Sequence, residues 1–295
     1  MKFPGLHITL LLSLAFLTLS CEDGFFPYDR EEMIVEGWIE ADGFPVVMVT
    51  KSLPVRSRDD GIDFDELSDY VVKWANITVS DGEKTVTLTG TRDKRYVPGF
   101  IYTTGDMKGE AGKTYTLTVR IGEREARSVT TIPLYAPTVD SLVCRELSYD
   151  TARCEIVAYV RNNPDRKEYF KSFYTIGPDE TQYLSSFLGM VDDALTDSTF
   201  MMPVLRDETD YEKLEKVERY FPNDTLVGIK ISMLDSIGYE IWKSFEDISR
   251  FRSSFFTASI REIPTNISGG QGYWCGYNSY QKKFITSPQS YPGNN

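Results

Sequence analysis

The chain has 295 residues, with 44 acidic against 32 basic side chains and a formal net charge of -12. So acidic a balance excludes nucleic acid as a partner class, because phosphate binding needs a basic surface. The one histidine, His7, lies in a leader segment, so the mature chain has no imidazole for a Ser-His or Cys-His nucleophile or for a metal site. No cofactor is expected.

The leader is compact. Lys2 is followed by an apolar run from Ile8 to Leu19, then by Ser20-Cys21 and the acidic pair Glu22-Asp23. An apolar run of that length is too short to span a bilayer, and a small residue before a Cys fits cleavage at that point. This is the pattern of a bacterial lipoprotein signal: residues 1–20 are removed, Cys21 is acylated, and the mature chain is tethered to a membrane by its N-terminal lipid. Removing Lys2 leaves 31 basic against 44 acidic residues, a net charge of -13 over about 275 residues. That length suits two domains.

Residues 21–30, with Gly24 and Pro27, read as a tether. Met33 to Glu40 and Val46 to Thr50 are β-rich runs separated by Asp42-Gly43, the signature of a hairpin. The following loop crowds Asp59, Asp60, Asp63 and Asp65 with Glu66 and Asp69. These carboxylates are candidate Ca²⁺ ligands, although Gly61 comes too early for an EF-hand and the terminal Glu is absent; a solvated loop is the simpler reading. Ala75 to Ser80 and Thr85 to Thr89 alternate around the turn Asp81-Gly82, and Tyr115, Leu117, Val119 and Ile121 share one strand face. Residues 31–136 are therefore expected to form a β-sandwich of immunoglobulin or transthyretin type, ending at Ile132-Pro133 and Ala136-Pro137.

Residues 137–290 are expected to form a second β-rich domain with one or two helices. Cys144 and Cys154 are placed symmetrically about Tyr149, so a hairpin would set them opposite each other as a candidate disulfide, which directly paired positions accommodate only with strain. Cys275 reads as a small buried residue. Asp210 to Tyr220 has the pattern of a short charged helix. Leu234, Ile237, Ile241, Phe245 and Ile248 predict a stronger one near 232–250, with Ser232 and Asp235 at its start and Gly238 weakening it by about 1 kcal/mol relative to Ala. Trp242 and Phe245 would face the core. The Gly-rich stretch from Asn266 to Trp274 lacks the Lys and the spacing of a phosphate loop. Tyr273, Trp274 and Tyr277 form an aromatic cluster that would either stack on a sugar or flat ligand or fill a β-core, where aromatics are common.

Taken in order, these segments resemble the Bacteroidota lipoprotein family known as domain of unknown function 4249. The matching pieces are Cys21 after a short signal, Ile34 to Ile39, Pro45 to Ser52, Asn76 to Gly82, Gly112 to Val119, Thr131 to Pro133 with Val139 to Leu142, and the Gly-rich Asn266 to Tyr277. The resemblance implies an accessory or substrate-handling role beside a TonB-dependent receptor of the outer membrane, and it brings no catalytic residues with it. Acidic residues after the acylated Cys, here Glu22-Asp23, accompany surface display in that lineage. Its O-glycosylation sequon, Asp followed by Ser or Thr and an aliphatic residue, Ala or Thr, marks Ser141, Thr151, Ser198 and Thr225 as candidate sites; Ser236 fits too but falls in the predicted helix.

The expected function is that of a non-enzymatic outer-membrane lipoprotein, an accessory or ligand-binding subunit of a TonB-dependent transporter. A cell-surface structural or adhesin-like module is the first alternative. A glycan hydrolase built on two facing carboxylates is the second.

Overall fold

The computed structural model describes residues 32–52, 68–96, 99–178, 183–192, 198–206, 219–251 and 264–287. Cys21, the acidic stretch Asp59 to Asp65 and residues 210–218 of the first predicted helix lie outside the described residues. The protein is mainly β, with large mixed sheets and, among the described residues, one α-helix. No described helix is long and apolar enough to cross a membrane.

Seven strands from the N-terminal half line the first core. β1 (Met33–Glu40) buries every second residue, and the turn at Asp42, whose φ is 62°, returns the chain as β2 (Val46–Lys51). The others are β3 (Asn76–Ser80), β4 (Thr85–Arg92), β5 (Phe100–Thr103), β6 (Thr114–Ile121) and β7 (Arg124–Thr131). β4 changes partner along its length: residues 85–88 pair with β3 and residues 89–92 with β5. A strand shared in this way forms a corner, so two sheets face each other across one apolar interior. Val35, Ile39, Val47, Ile77, Val79 and Leu117 fill it from the N-terminal strands.

The chain then passes Pro133 and Pro137 into a second sandwich. β8 (Thr138–Leu147) and β9 (Asp150–Arg161) form a hairpin, joined on the other side of β9 by β12 (Thr199–Val204) and β13 (Phe221–Pro222). Across from them lie β10 (Tyr169–Ile176), β11 (Leu184–Asp192), β14 (Leu226–Met233) and the last strand, β15 (Gln271–Ile285). Ile156, Phe170, Tyr174, Phe221, Ile229 and Ile231 form the core between them.

β15 joins the two bodies. Residues 271–277 run parallel to β1, and residues 278–285 run antiparallel to β14, so one 11-stranded sheet extends through both. The split of the sequence near Pro133 to Pro137 thus separates successive strands, while the last strand crosses back to the first. Trp274 and Ile267 belong to the first core, and Trp274 Nε1 donates to the Tyr115 carbonyl at 3.1 Å. Gly272, with φ of 110°, lies so close to the Val35 carbonyl that a Cβ there would stand 2.0 Å from it, which is why this junction needs a glycine.

The helix starts later than its apolar pattern suggests. α1 spans Ser236–Phe251, because Ser232 and Met233 are still paired to both β10 and β15. Asp235, rather than Ser232, caps it: its Oδ1 accepts the Gly238 N–H at 2.7 Å. Gly238 also has a steric reason, since a Cβ there would lie 3.0 Å from Asp235 Oδ1 and 3.5 Å from Cys275 Sγ. The glycine lets the first turn settle onto β15.

Candidate functional site

The aromatic residues singled out from the sequence are brought together in part, and none is available for stacking. Trp274 points into the first core, whereas Tyr273 and Tyr277 point to the opposite face of β15 beneath α1. Their exposures are 0%, 8% and 3%, which leaves no open ring face for a ligand. They fill cores because alternate residues of one strand serve opposite faces. Trp242 of α1 stands 5.9 Å from the Tyr273 ring and donates its Nε1 hydrogen to the Tyr277 hydroxyl at 2.8 Å. Burial pushes both tyrosines and the Cys275 thiol well up from their ordinary values, so they stay protonated. Cys275 is a buried small residue.

Beside this cluster runs a charged seam. Lys171 of β10 is fully buried and donates to Glu246 Oε1 of α1 at 3.1 Å and to the Ser186 carbonyl at 3.0 Å. Lys230 of β14 meets Glu40 of β1 at 3.1 Å, and the Ser279 hydroxyl donates to the same Glu40 oxygen. The Lys230 ammonium also lies 4.8 Å from the Phe173 ring centre and 5.0 Å from that of Tyr183. Three strands and the helix are therefore tied by two ion pairs on one side of the sheet. Glu36 shares this face of β1 with Glu40; burial raises its pKa above the ordinary carboxylate value. Four residues of extended strand separate the Glu36 and Glu40 backbones by about 13 Å, and the Glu40 carboxylate is engaged by Lys230 and Ser279.

The second feature is a cavity of about 180 Å³ where β8 begins and β9 ends, lined by Thr138, Arg161, Asn163, Arg166, Glu168 and Met233 among others. Glu168 is 2% exposed, and one of its oxygens receives both Nε and Nη2 of Arg166 at 2.6 Å. Its other oxygen accepts the Asn163 N–H at 3.1 Å. The Arg166 guanidinium lies 4.0 Å from the centre of the Tyr135 ring, and Arg161 pairs with Asp140 at 2.6 Å. Sequence reasoning missed this site. Its local signal was the Asn162-Asn163-Pro164 turn after an apolar strand, where Asn163 Oδ1 accepts the Asp165 N–H at 3.0 Å. A shallower groove on the first sandwich is lined by Phe44, Thr89, Thr91, Thr103 and Asp106, with Lys108 Nζ 5.2 Å above the Phe44 ring.

Cys144 and Cys154 are free thiols rather than a disulfide. A register shift between Glu146 and Leu147 sets Cys144 opposite Ile156 and Cys154 opposite Glu146, so the two are offset by two residues instead of facing each other. Both are buried in the second core, and a hydrogen bond between the thiols lowers the pKa of Cys144 and raises that of Cys154. Of the sequon residues, Ser141, Thr151 and Ser198 are exposed, while the half-buried Thr225 already donates its hydroxyl to the Asn223 carbonyl at 3.0 Å. No family model and no curated protein matches this chain.

Proposed function

We propose that this chain is a lipid-anchored outer-membrane protein that binds a partner, a TonB-dependent receptor, and does so as an accessory subunit without catalysing a reaction. The observation that carries the proposal is the course of the first and last strands. β1 begins twelve residues after Cys21, a stretch that reaches at most about 40 Å. β15 starts beside that end of β1, runs parallel to it, and continues into the second sandwich, a path of about 50 Å for its 15 residues. A lipid on Cys21 would thus hold the first sandwich near the bilayer and present the second away from the anchor. At that far end the β8–β9 turn carries Tyr149, 72% exposed, against Tyr220. Tethering also raises the effective concentration at a neighbouring receptor, so weak contacts suffice for a stable complex.

The resemblance of the leader and strand segments to the domain of unknown function 4249 lipoproteins supports the same reading. Mass spectrometry of membrane-extracted protein should find the lipid on an N-terminal Cys21, and Cys21→Ala should release the chain from the membrane. Pull-down from solubilised outer membranes should recover a TonB-dependent receptor in near-stoichiometric amount. Recovery of no receptor, together with turnover of a glycan that one Asp or Glu substitution abolishes, would establish the hydrolase alternative instead. The end-to-end sharing of β15 favours a rigid spacer as the second reading, in which case neither receptor nor turnover would be found.

A further inference from the structure

We infer that the cavity between the start of β8 and the loop 162–168 is a binding site for one neutral sugar ring. The inference deepens the binding function proposed above by naming a ligand class, and its test does not depend on any receptor.

Size sets the first limit. A volume of about 180 Å³ is the share of about six liquid waters, each taking roughly 30 Å³. A single hexose fits that space and an oligosaccharide does not.

Charge sets the second. The two arginines at the cavity are each matched locally, Arg166 by Glu168 and Arg161 by Asp140. A small ion therefore meets little net field, whereas a ligand whose groups both donate and accept loses nothing by the balance. Vicinal hydroxyls are such groups. Guanidinium, carboxylate and amide side chains are planar and present two polar atoms at the spacing of adjacent hydroxyl oxygens, so each can hold a pair of them. Among the described residues, Arg166 Nη1, the Asn163 side-chain amide nitrogen and the Thr138 hydroxyl make no hydrogen bond. These groups are left for a ligand, while Met233 supplies an apolar wall for ring C–H groups.

Rigidity is the third consideration. Arg166 is held from one side by the Tyr135 ring and from another by the buried Glu168 carboxylate, and Asn163 is fixed by the turn it makes with Asp165. Donors locked before binding lose little entropy when the ligand arrives. The groove at Phe44 lacks this feature, since Lys108 covers the one aromatic ring that lines it.

The test uses the mature chain and ligand-observed saturation-transfer NMR with glucose, galactose, mannose and N-acetylglucosamine, and with acetate and phosphate as ionic probes. One sugar should give a saturable signal with a Kd on the order of 1 mM, the range open to a ligand of that size, and neither acetate nor phosphate should displace it. Arg166→Met should weaken binding at least tenfold. Thr138→Phe, which fills the cavity beside Arg161 and leaves all four charged side chains in the sequence, should abolish it with an unchanged melting curve, and it decides the matter if Arg166→Met folds poorly. A saturable signal from no sugar, displacement of the sugar by phosphate or acetate, or sugar binding that persists in Thr138→Phe would each overturn the assignment.

Discussion

The two sandwiches fill their cores in different ways. The second core is drawn entirely from residues that follow the Pro133–Pro137 passage. The first is not self-contained, because Ile267 and Trp274 arrive from the far end of the sequence to complete it, and Trp274 is the largest fully buried side chain among the described residues. The asymmetry teaches that a run of regular strands need not supply the whole of its own core. Residues 31–136 have the alternation of a complete sandwich, yet one face of their core is closed by a strand that cannot pair until the whole chain has been made.

The strongest way to break this comparison is to remove the late contribution. A fragment ending at Thr138 lacks both residues and the parallel partner of β1, so it should show native-like far-ultraviolet dichroism without a cooperative melt; a sharp transition would show that the first core closes alone. In the full chain, Trp274→Ala should cost about 3–5 kcal/mol by cavity formation and lost burial, read by urea denaturation.

The seam gives the next test. Glu246→Ala strips the carboxylate from a fully buried ammonium and should cost about 3 kcal/mol. Replacing both partners at once, as Lys171→Met with Glu246→Leu, should recover most of that loss, since a buried pair is stabilised little beyond its own desolvation. Glu40→Ala, at the more exposed pair with Lys230, should cost less than Glu246→Ala and should loosen the join between the sandwiches, seen as faster amide exchange along the second half of β15. At the start of α1, Asp235→Ala should cost about 1 kcal/mol, and Asp235→Asn, which keeps the capping oxygen, far less.

The smallest effect is a matter of pH. Burial raises the folded pKa of Glu36 above its unfolded value, so the native state binds a proton the unfolded state has already released. Its contribution is complete below about pH 4 and is lost as the pH rises through the raised value. Glu36→Gln should therefore be more stable than the natural chain at neutral pH, by on the order of 1 kcal/mol or less, and equal to it in acid. A difference of the same size at both pH values would mean that the carboxyl is solvated in the folded protein.

Much of the first sandwich was legible. The alternation in Met33 to Glu40, the turn at Asp42-Gly43 and the pairing across Asp81-Gly82 are local, and the strands appear where those patterns place them. The helix was legible in its apolar stripe but not in its start, because Ser232 and Met233 continue a strand whose partners lie 47 and 45 residues later on β15 and about 60 residues earlier on β10. Symmetric spacing about Tyr149 was a poor guide to Cys144 and Cys154, since a bulge changes register without changing the sequence interval. The polar cavity had almost no sequence signature: Tyr135, Asp140, Arg161, Arg166 and Glu168 are ordinary surface residue types until the chain passage, the β8 edge and the β9 end bring them to one place.

By itself the sequence determined the class of structure and the pattern of the leader, because strand alternation, turn chemistry and an apolar run before a cysteine depend only on neighbours along the chain. Tertiary structure decided how the halves share a strand, which aromatic rings were hidden, and where charged side chains met. Those outcomes depend on which face of β15 each residue takes and on contacts between residues more than a hundred positions apart, as between Trp274 and Tyr115 or Glu40 and Lys230. Their energies exist only once both partners are in place, so no local pattern records them.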